Sequence, residues 1–247
     1  MIAFLFIGGI FALFRLFSIW FVIGGILGYL AFLLIVSTNV QFNFFVKAFN
    51  RNPMVSGKKV AITFDDGPVE NTLKILEILD KYNVKASFFC IGKNIEKNPE
   101  IFKAILLKGH FVGNHTWSHT PKMGFLFTEQ LVEEIRKCDE IALKIGGVKL
   151  KCFRPPFGVI NPYTKKALKI TGHKVIGWNV RSYDAVLNSK KYILHRIFKK
   201  IKPGDVILLH DSNRQTADIL EQLLLFLQTN HYTTLSVDNL FQIDAYN

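Results

Sequence analysis

Asp65 and Asp66 stand side by side at the end of the apolar run Val60-Ala61-Ile62-Thr63-Phe64, and Gly67-Pro68 turns the chain immediately after them. Adjacent carboxylates repel, and burying the pair is costly unless a cation or a shared proton compensates. His115 and His119 are four residues apart. On a helical turn that spacing sets both imidazoles on one face, as a metal requires. Two histidines and one carboxylate, with a fourth position left for water, make a catalytic zinc centre. The residues between the histidines, Thr116-Trp117-Ser118, include no glutamate, which excludes the metalloprotease H-E-x-x-H arrangement. A metal takes one of the two aspartates easily, and the other is then free to act as a base. Arg154 can hold that base ionised. His210, after Asp205-Val206-Ile207-Leu208-Leu209, is placed to protonate a leaving group. Lewis acid, base and acid together are the parts for hydrolysing an amide or ester. Taken singly, each residue has a plainer reading: a surface histidine pair, a structural ion pair at Arg154, a core histidine at 210.

Their common placement weighs against those plainer readings. Period-two and period-3.6 patterns alternate along the chain. They predict strands over 60–64, 86–91, 110–114, 152–154, 174–180, 205–210 and 233–237. Helices are predicted over 72–82, 99–107, 128–144, 162–170, 191–201 and 217–228, the third capped by Thr128. Such alternation implies a parallel sheet, and the length suits a (β/α) barrel of about seven strand–helix units. Active sites of such folds lie at the carboxyl ends of the strands. Asp65, Asp66, His115, His119, Arg154, Asp184 and His210 all fall there.

Four ordered motifs then carry a resemblance: Thr63-Phe64-Asp65-Asp66-Gly67, His115-Thr116-Trp117-Ser118-His119, Arg154-Pro155-Pro156-Phe157-Gly158 and Leu208-Leu209-His210. Over roughly residues 58–240 the chain resembles the polysaccharide deacetylases, the NodB-homology carbohydrate esterases. The resemblance implies a distorted (β/α) barrel. It implies Asp65 as base, and Asp66, His115 and His119 as ligands of a divalent metal, usually zinc, with cobalt also compatible. It further implies Arg154 positioning Asp65, the Phe157 N–H joining the metal at the oxyanion, His210 as general acid and Leu208 lining the acetyl pocket. One motif departs. Where the family usually has two aspartates and a tryptophan, this chain has Arg181, Asp184 and Ala185. Asp184 is retained to orient His210, while the substrate pocket becomes more open or better suited to an anionic sugar.

The rest of the composition sets the surroundings. Residues 1–38 carry a single charged side chain, Arg15, and 17–36 is free of charge, long enough to cross a bilayer core. We expect a membrane anchor over 1–38 with its span at about 17–36. A linker over 39–57 and a catalytic domain over 58–247 then follow. A signal peptide or a buried helix fits this stretch less well, because a signal core is shorter and no small-residue cleavage site follows. Residues 1–14, also apolar, suit an interfacial helix, an extension of the span or one arm of a hairpin. The formal charge of +12 draws the chain to anionic surfaces, or reflects a generally basic exterior. No arginine-rich tract or nucleic-acid motif marks a nucleic-acid partner. Lys47, Arg51, Lys58 and Lys59 after the span favour a cytoplasmic domain by the positive-inside rule. The resemblance places it outside the cytoplasm instead. Cys90, Cys138 and Cys152 form no C-x-x-C pair and give no disulfide framework.

The reading is a membrane-anchored, zinc-dependent hydrolase that removes N-acetyl groups from peptidoglycan or another surface glycan. Its alternatives are a deacetylase or deformylase of a lipid-linked amino sugar, and a non-catalytic glycan-binding module.

Overall fold

The computed structural model describes residues 19–246. Over the stretch expected to span, residues Ile19–Ser37 form the apolar helix α1. Residues 17 and 18 of that span, and the apolar segment 1–14, lie outside the described residues. There follow β1 (Ala48–Phe49), β2 (Lys59–Asp65), α2 (Glu70–Lys81), β3 (Ser87–Cys90), α3 (Gly92–Lys97), α4 (Pro99–Leu107) and β4 (Phe111–Asn114). Next come α5 (Thr128–Gly146), β5 (Cys152–Phe153), α6 (Pro162–Thr171), β6 (Lys174–Ile176) and β7 (Val180–Arg181). The chain continues through α7 (Lys190–Lys200), β8 (Val206–His210), α8 (Thr216–Thr229), β9 (Thr233–Leu235) and α9 (Val237–Phe241).

The strands form one curled parallel sheet in the order β1-β6-β5-β4-β3-β2-β8-β7, with β9 added to the start of β2. This is a distorted, incompletely closed (β/α) barrel. Strand β2 lies at its centre and is buried on both faces after Lys59, as a parallel strand between two layers must be. Its alternate residues divide the core. Val60, Ile62 and Phe64 join Ile207 and Leu209 in the layer beneath the helices. Ala61 joins Phe89, Phe153, Trp178, Val206 and Leu208 in the barrel interior. The same period of two carries Thr63 and Asp65, and likewise Leu208 and His210, onto the inner face.

Three expectations need correction. Residues 39–57 are not a linker. The asparagines that suggested one supply turn chemistry instead. Asn39 caps a short 3-10 turn by accepting from Gln41 N at 3.1 Å. Asn43, in the left-handed region at φ 54°, accepts from Ala48 N at 2.8 Å. Strand β1 then pairs with β6 along the sheet edge. The single strand expected over 174–180 is two, because the chain crosses there from one sheet edge to the other. Gly177 allows the crossing: a Cβ on it would lie 1.9 Å from Asn50 Oδ1. The last strand also stops early, and Ser236 is the N-cap of α9. These changes give nine strands among the described residues where seven were expected. In addition, α5 is capped at Phe127 rather than Thr128, with the Phe127 N–H donating to Gln130 Oε1 at 3.0 Å.

Candidate active site

Asp65 is the last residue of β2, and its neighbour in the sheet register is His210, the last residue of β8. Asp66 is the first residue beyond the strand and takes φ 79°. That conformation turns it out of the strand's alternation, so the two adjacent carboxylates serve different partners.

Asp65 is claimed by Arg154. The guanidinium donates from Nη1 to Asp65 Oδ1 at 2.7 Å and to Thr63 Oγ1 at 2.7 Å. Nε donates to Ile176 O at 3.2 Å and Nη2 to Gly177 O at 2.8 Å. Arg154 is fully buried, 3.9 Å from the centre of the Phe89 ring. A buried guanidinium is tolerable only when its donors are met, and here all three nitrogens have acceptors.

Asp66 faces the histidines. Its Oδ1 lies 3.6 Å from His115 Nε2 and 3.4 Å from His119 Nε2. One ligand atom from each of Asp66, His115 and His119 falls within 4.8 Å of the others. Bonds near 2.0–2.1 Å around a tetrahedral ion separate its ligand atoms by about 3.3 Å, close to what Asp66 shows with each histidine. Two further observations fit a cation. Asp66 Oδ1 is buried with no hydrogen-bond partner among the described residues. His115 Nδ1 is 2.8 Å from the Arg154 carbonyl, so the proton sits on Nδ1 and the Nε2 lone pair is left for a metal. Burial would raise the Asp66 carboxyl, but His115, His210 and His119 outweigh it and hold it well below the usual carboxylate range. The three residues therefore fit a divalent ion with nitrogen and oxygen preference.

The histidines do not meet on a helix, as their spacing suggested. Thr116 at φ 67° and His119 at φ 49° coil the segment into a tight loop. Asn114 Oδ1 accepts from Thr116 N at 2.8 Å, and Glu134 on α5 accepts from Ser118 N and Oγ, each at 2.8 Å. Asp66, Thr116, His119, Phe157 and Tyr183 are five of nine non-glycine residues with positive φ among those described. Strained backbone is thus concentrated around these carboxylates and imidazoles.

His210 has its own carboxylate. Its Nδ1 is 2.8 Å from Asp184 Oδ1, and its backbone N donates to Asp184 Oδ2 at 2.8 Å. Ser182 Oγ and Thr216 Oγ1 complete the cradle of this fully buried aspartate at 2.7 and 2.8 Å. Burial pulls the His210 imidazolium down, but the Asp184 bond and the charges of Asp184, Asp65 and Asp66 lift it to about 9. It is protonated at neutral pH, with Nε2 left for another partner.

The remaining expected residues lie around this centre. Phe157, at φ 58°, sets its ring 4.6 Å from that of His119. Leu208 is buried in the barrel interior two residues before His210. Arg181 stacks near Trp178 and Tyr183, and Ala185 is exposed. Sequence reasoning missed Asp211, although it directly follows His210. This fully buried carboxyl is pushed up to about 7, chiefly by burial, and accepts from Thr72 Oγ1 at 2.6 Å. It packs on Gly67, where a Cβ would come within 2.0 Å of Asp211 Oδ2. Asn94, which donates to the Asp66 carbonyl at 2.6 Å, was also missed. No sequence pattern marks it, because only the fold brings α3 to that carbonyl.

Residues 53–176 match the family model for polysaccharide deacetylase. The chain is 35% identical over 189 residues to a peptidoglycan-N-acetylglucosamine deacetylase of Bacillus cereus, covering 74% of this chain and 68% of that protein. It is 30% identical over 187 residues to the peptidoglycan-N-acetylglucosamine deacetylase PgdA of Listeria monocytogenes, covering 75% of this chain but only 39% of that longer protein. The crystal structure of the Bc1960 peptidoglycan N-acetylglucosamine deacetylase, bound to a naphthyl-substituted N-hydroxybenzamide, superposes with a TM-score of 0.75 at 33% identity. It covers 81% of this chain and 94% of that one.

Proposed function

The chain belongs to the polysaccharide deacetylase family, and from that premise we propose that it is a membrane-anchored, metal-dependent hydrolase of N-acetylated amino sugars. One observation carries the reading. The Asp66–His115–His119 cluster, with its partnerless Asp66 Oδ1, lies between an aspartate held by Arg154 and a histidine held by Asp184. Binding a glycan needs neither a base nor an acid, so this set disfavours a purely non-catalytic module.

A zinc or cobalt ion on Asp66, His115 and His119 would polarise the acetyl carbonyl and acidify water at the site. Asp65, held in place by the Arg154 guanidinium, takes a proton from water as the oxygen adds to the carbonyl carbon. The Phe157 N–H donates to the developing oxyanion. His210, charged at neutral pH and oriented by Asp184, gives its proton to the nitrogen as the C–N bond breaks. Acetate and a free amine leave, and the proton on Asp65 returns to His210 through solvent. Leu208 provides an apolar wall for the acetyl methyl. Arg181, in place of the acid common in the family, suits a sugar carrying negative charge.

The names of the relatives support peptidoglycan or a related surface glycan as the substrate and a domain outside the cytoplasm. Helix α1, apolar and long enough to cross a membrane, supports the anchor. The test is acetate release by the full chain from chitooligosaccharide and peptidoglycan fragments, with metal removed and with zinc or cobalt restored. Metal-dependent release is expected. Glycan binding without release under any metal would overturn the enzymatic reading.

A further inference from the structure

Helix α1 is not tethered to the domain at a distance; its last turn is part of the domain's wall. The Ser37 carbonyl accepts from Ile160 N at 2.8 Å. Three residues on, Val40 is buried in the same cluster as Trp178 and Ile160. Phe44 closes edge-to-face on Phe32 of the helix, with ring centres 5.4 Å apart. With 39–57 folded into the barrel, no slack remains to carry the site away from the bilayer.

The same contact brings the helix close to the chemistry. Ile160 lies three residues past Phe157, whose ring rests on the metal-site histidine His119. Between helix and site runs a groove of ≈ 580 Å³ walled by Leu33 and Leu34 on α1 and by Pro121, Phe125, Phe157 and Val159 on the domain. Its few polar residues include Thr38, which donates to Leu34 O, and Asn161, which caps α6 and donates to Gly124 O. Both are engaged within the chain. Phe125 is 86% exposed and Phe42 and Phe44 are about half exposed, so the apolar surface of the span continues onto the domain. Contiguous exposed carbon of this kind marks a surface meant to be covered by apolar matter.

We propose that this groove takes the hydrocarbon tail of a lipid-linked N-acetylated amino sugar, so that a membrane-borne glycan precursor is turned over in preference to the mature polymer. The inference rests on the deacetylase reading above and on α1 spanning a bilayer. Two features select a lipid tail as the occupant. One wall of the groove is the span itself, continuous with the bilayer interior, and the other ends on the ring packed against the metal ligand His119.

The test uses the full chain in nanodiscs. Two substrates share one head group, N-acetylglucosamine joined through diphosphate, on either a long polyprenol or a short water-soluble alkyl chain. Chitooligosaccharide is the third arm. The expected kcat/KM is roughly tenfold or more higher for the long tail, since even a few buried methylenes give that preference. The long-to-short ratio is expected to collapse in Phe125→Ser and in the Leu33→Ser/Leu34→Ser double variant. A tail preference that survives both substitutions reflects partitioning into the bilayer and overturns the groove. Chitooligosaccharide turned over as well as the long-tailed substrate overturns the inference and leaves the deacetylase reading standing. Release from none of the three, and none from peptidoglycan fragments, overturns both. A disulfide formed between Phe125→Cys and a cysteine placed in residues 1–14 would make the chain its own occupant, against the proposal.

Discussion

Arg154 Nη1 lies 2.7 Å from Asp65 Oδ1, and neither side chain is more than marginally exposed. That contact gives two adjacent aspartates different partners. Asp65 is committed to a fixed cation of the protein, whereas Asp66 keeps a buried oxygen with no hydrogen-bond partner among the described residues. Breaking such a buried pair leaves an uncompensated charge and costs about 3–5 kcal/mol. Arg154→Met should therefore lower unfolding free energy by about that amount in urea titrations. Arg154→Lys should recover only part of it, since one ammonium cannot serve Asp65, Thr63 and two carbonyls in their present directions.

Metal content and turnover should fall together in Asp66→Ala, His115→Ala and His119→Ala, measured by elemental analysis beside acetate release. Each variant removes one of the three donors that the fold brings within 4.8 Å of one another.

In the proposed mechanism the His210–Asp184 pair sets the alkaline limit. Acid catalysis needs the imidazolium, so turnover should decline as pH rises toward and through about 9. A cation on Asp66 would cancel part of the local negative charge and move that limb lower. Asp184→Asn removes the strongest force raising His210 and should shift the limb down by a unit or more, roughly. The same pair affects stability. The folded value lies above the ordinary 6.5, so its contribution is full below pH 6.5 and is lost as pH rises through about 9. Unfolding titrations of wild type and Asp184→Asn should converge at alkaline pH.

Gly67→Ala should damage the site without touching a ligand. The added methyl would stand 2.0 Å from Asp211 Oδ2, in a carboxyl already fixed by Thr72. Overpacking of this kind costs about 1–3 kcal/mol. Because Gly67 follows Asp66 directly, zinc affinity should drop together with the melting temperature.

Much of this arrangement was legible in the sequence because strand ends are legible. Apolar runs that stop at ionisable residues located Asp65, His115, Arg154 and His210, and parallel alternation placed all four at one end of one sheet. The reason the two histidines converge was not legible. Their spacing suggested a helix, whereas left-handed Thr116 and His119, held by Asn114 and Glu134, form the actual loop. Asparagines between 39 and 52 looked like a linker because composition cannot tell a solvated chain from one whose amides cap turns. Asp211 passed unnoticed for a related reason: its role depends on Thr72 and Gly67, more than 130 residues away in the chain.

The division of labour between Asp65 and Asp66 is tested most directly by Asp65→Asn, with bound zinc and acetate release measured on the same preparation. Amide for carboxylate keeps the shape beside Arg154 and leaves Asp66, His115 and His119 in place. The expected result is zinc bound as in the wild type with turnover reduced roughly 10²–10⁴-fold, the contribution of a positioned base. Turnover close to wild type, or zinc lost along with activity, would contradict the assignment of Asp65 as base and Asp66 as ligand.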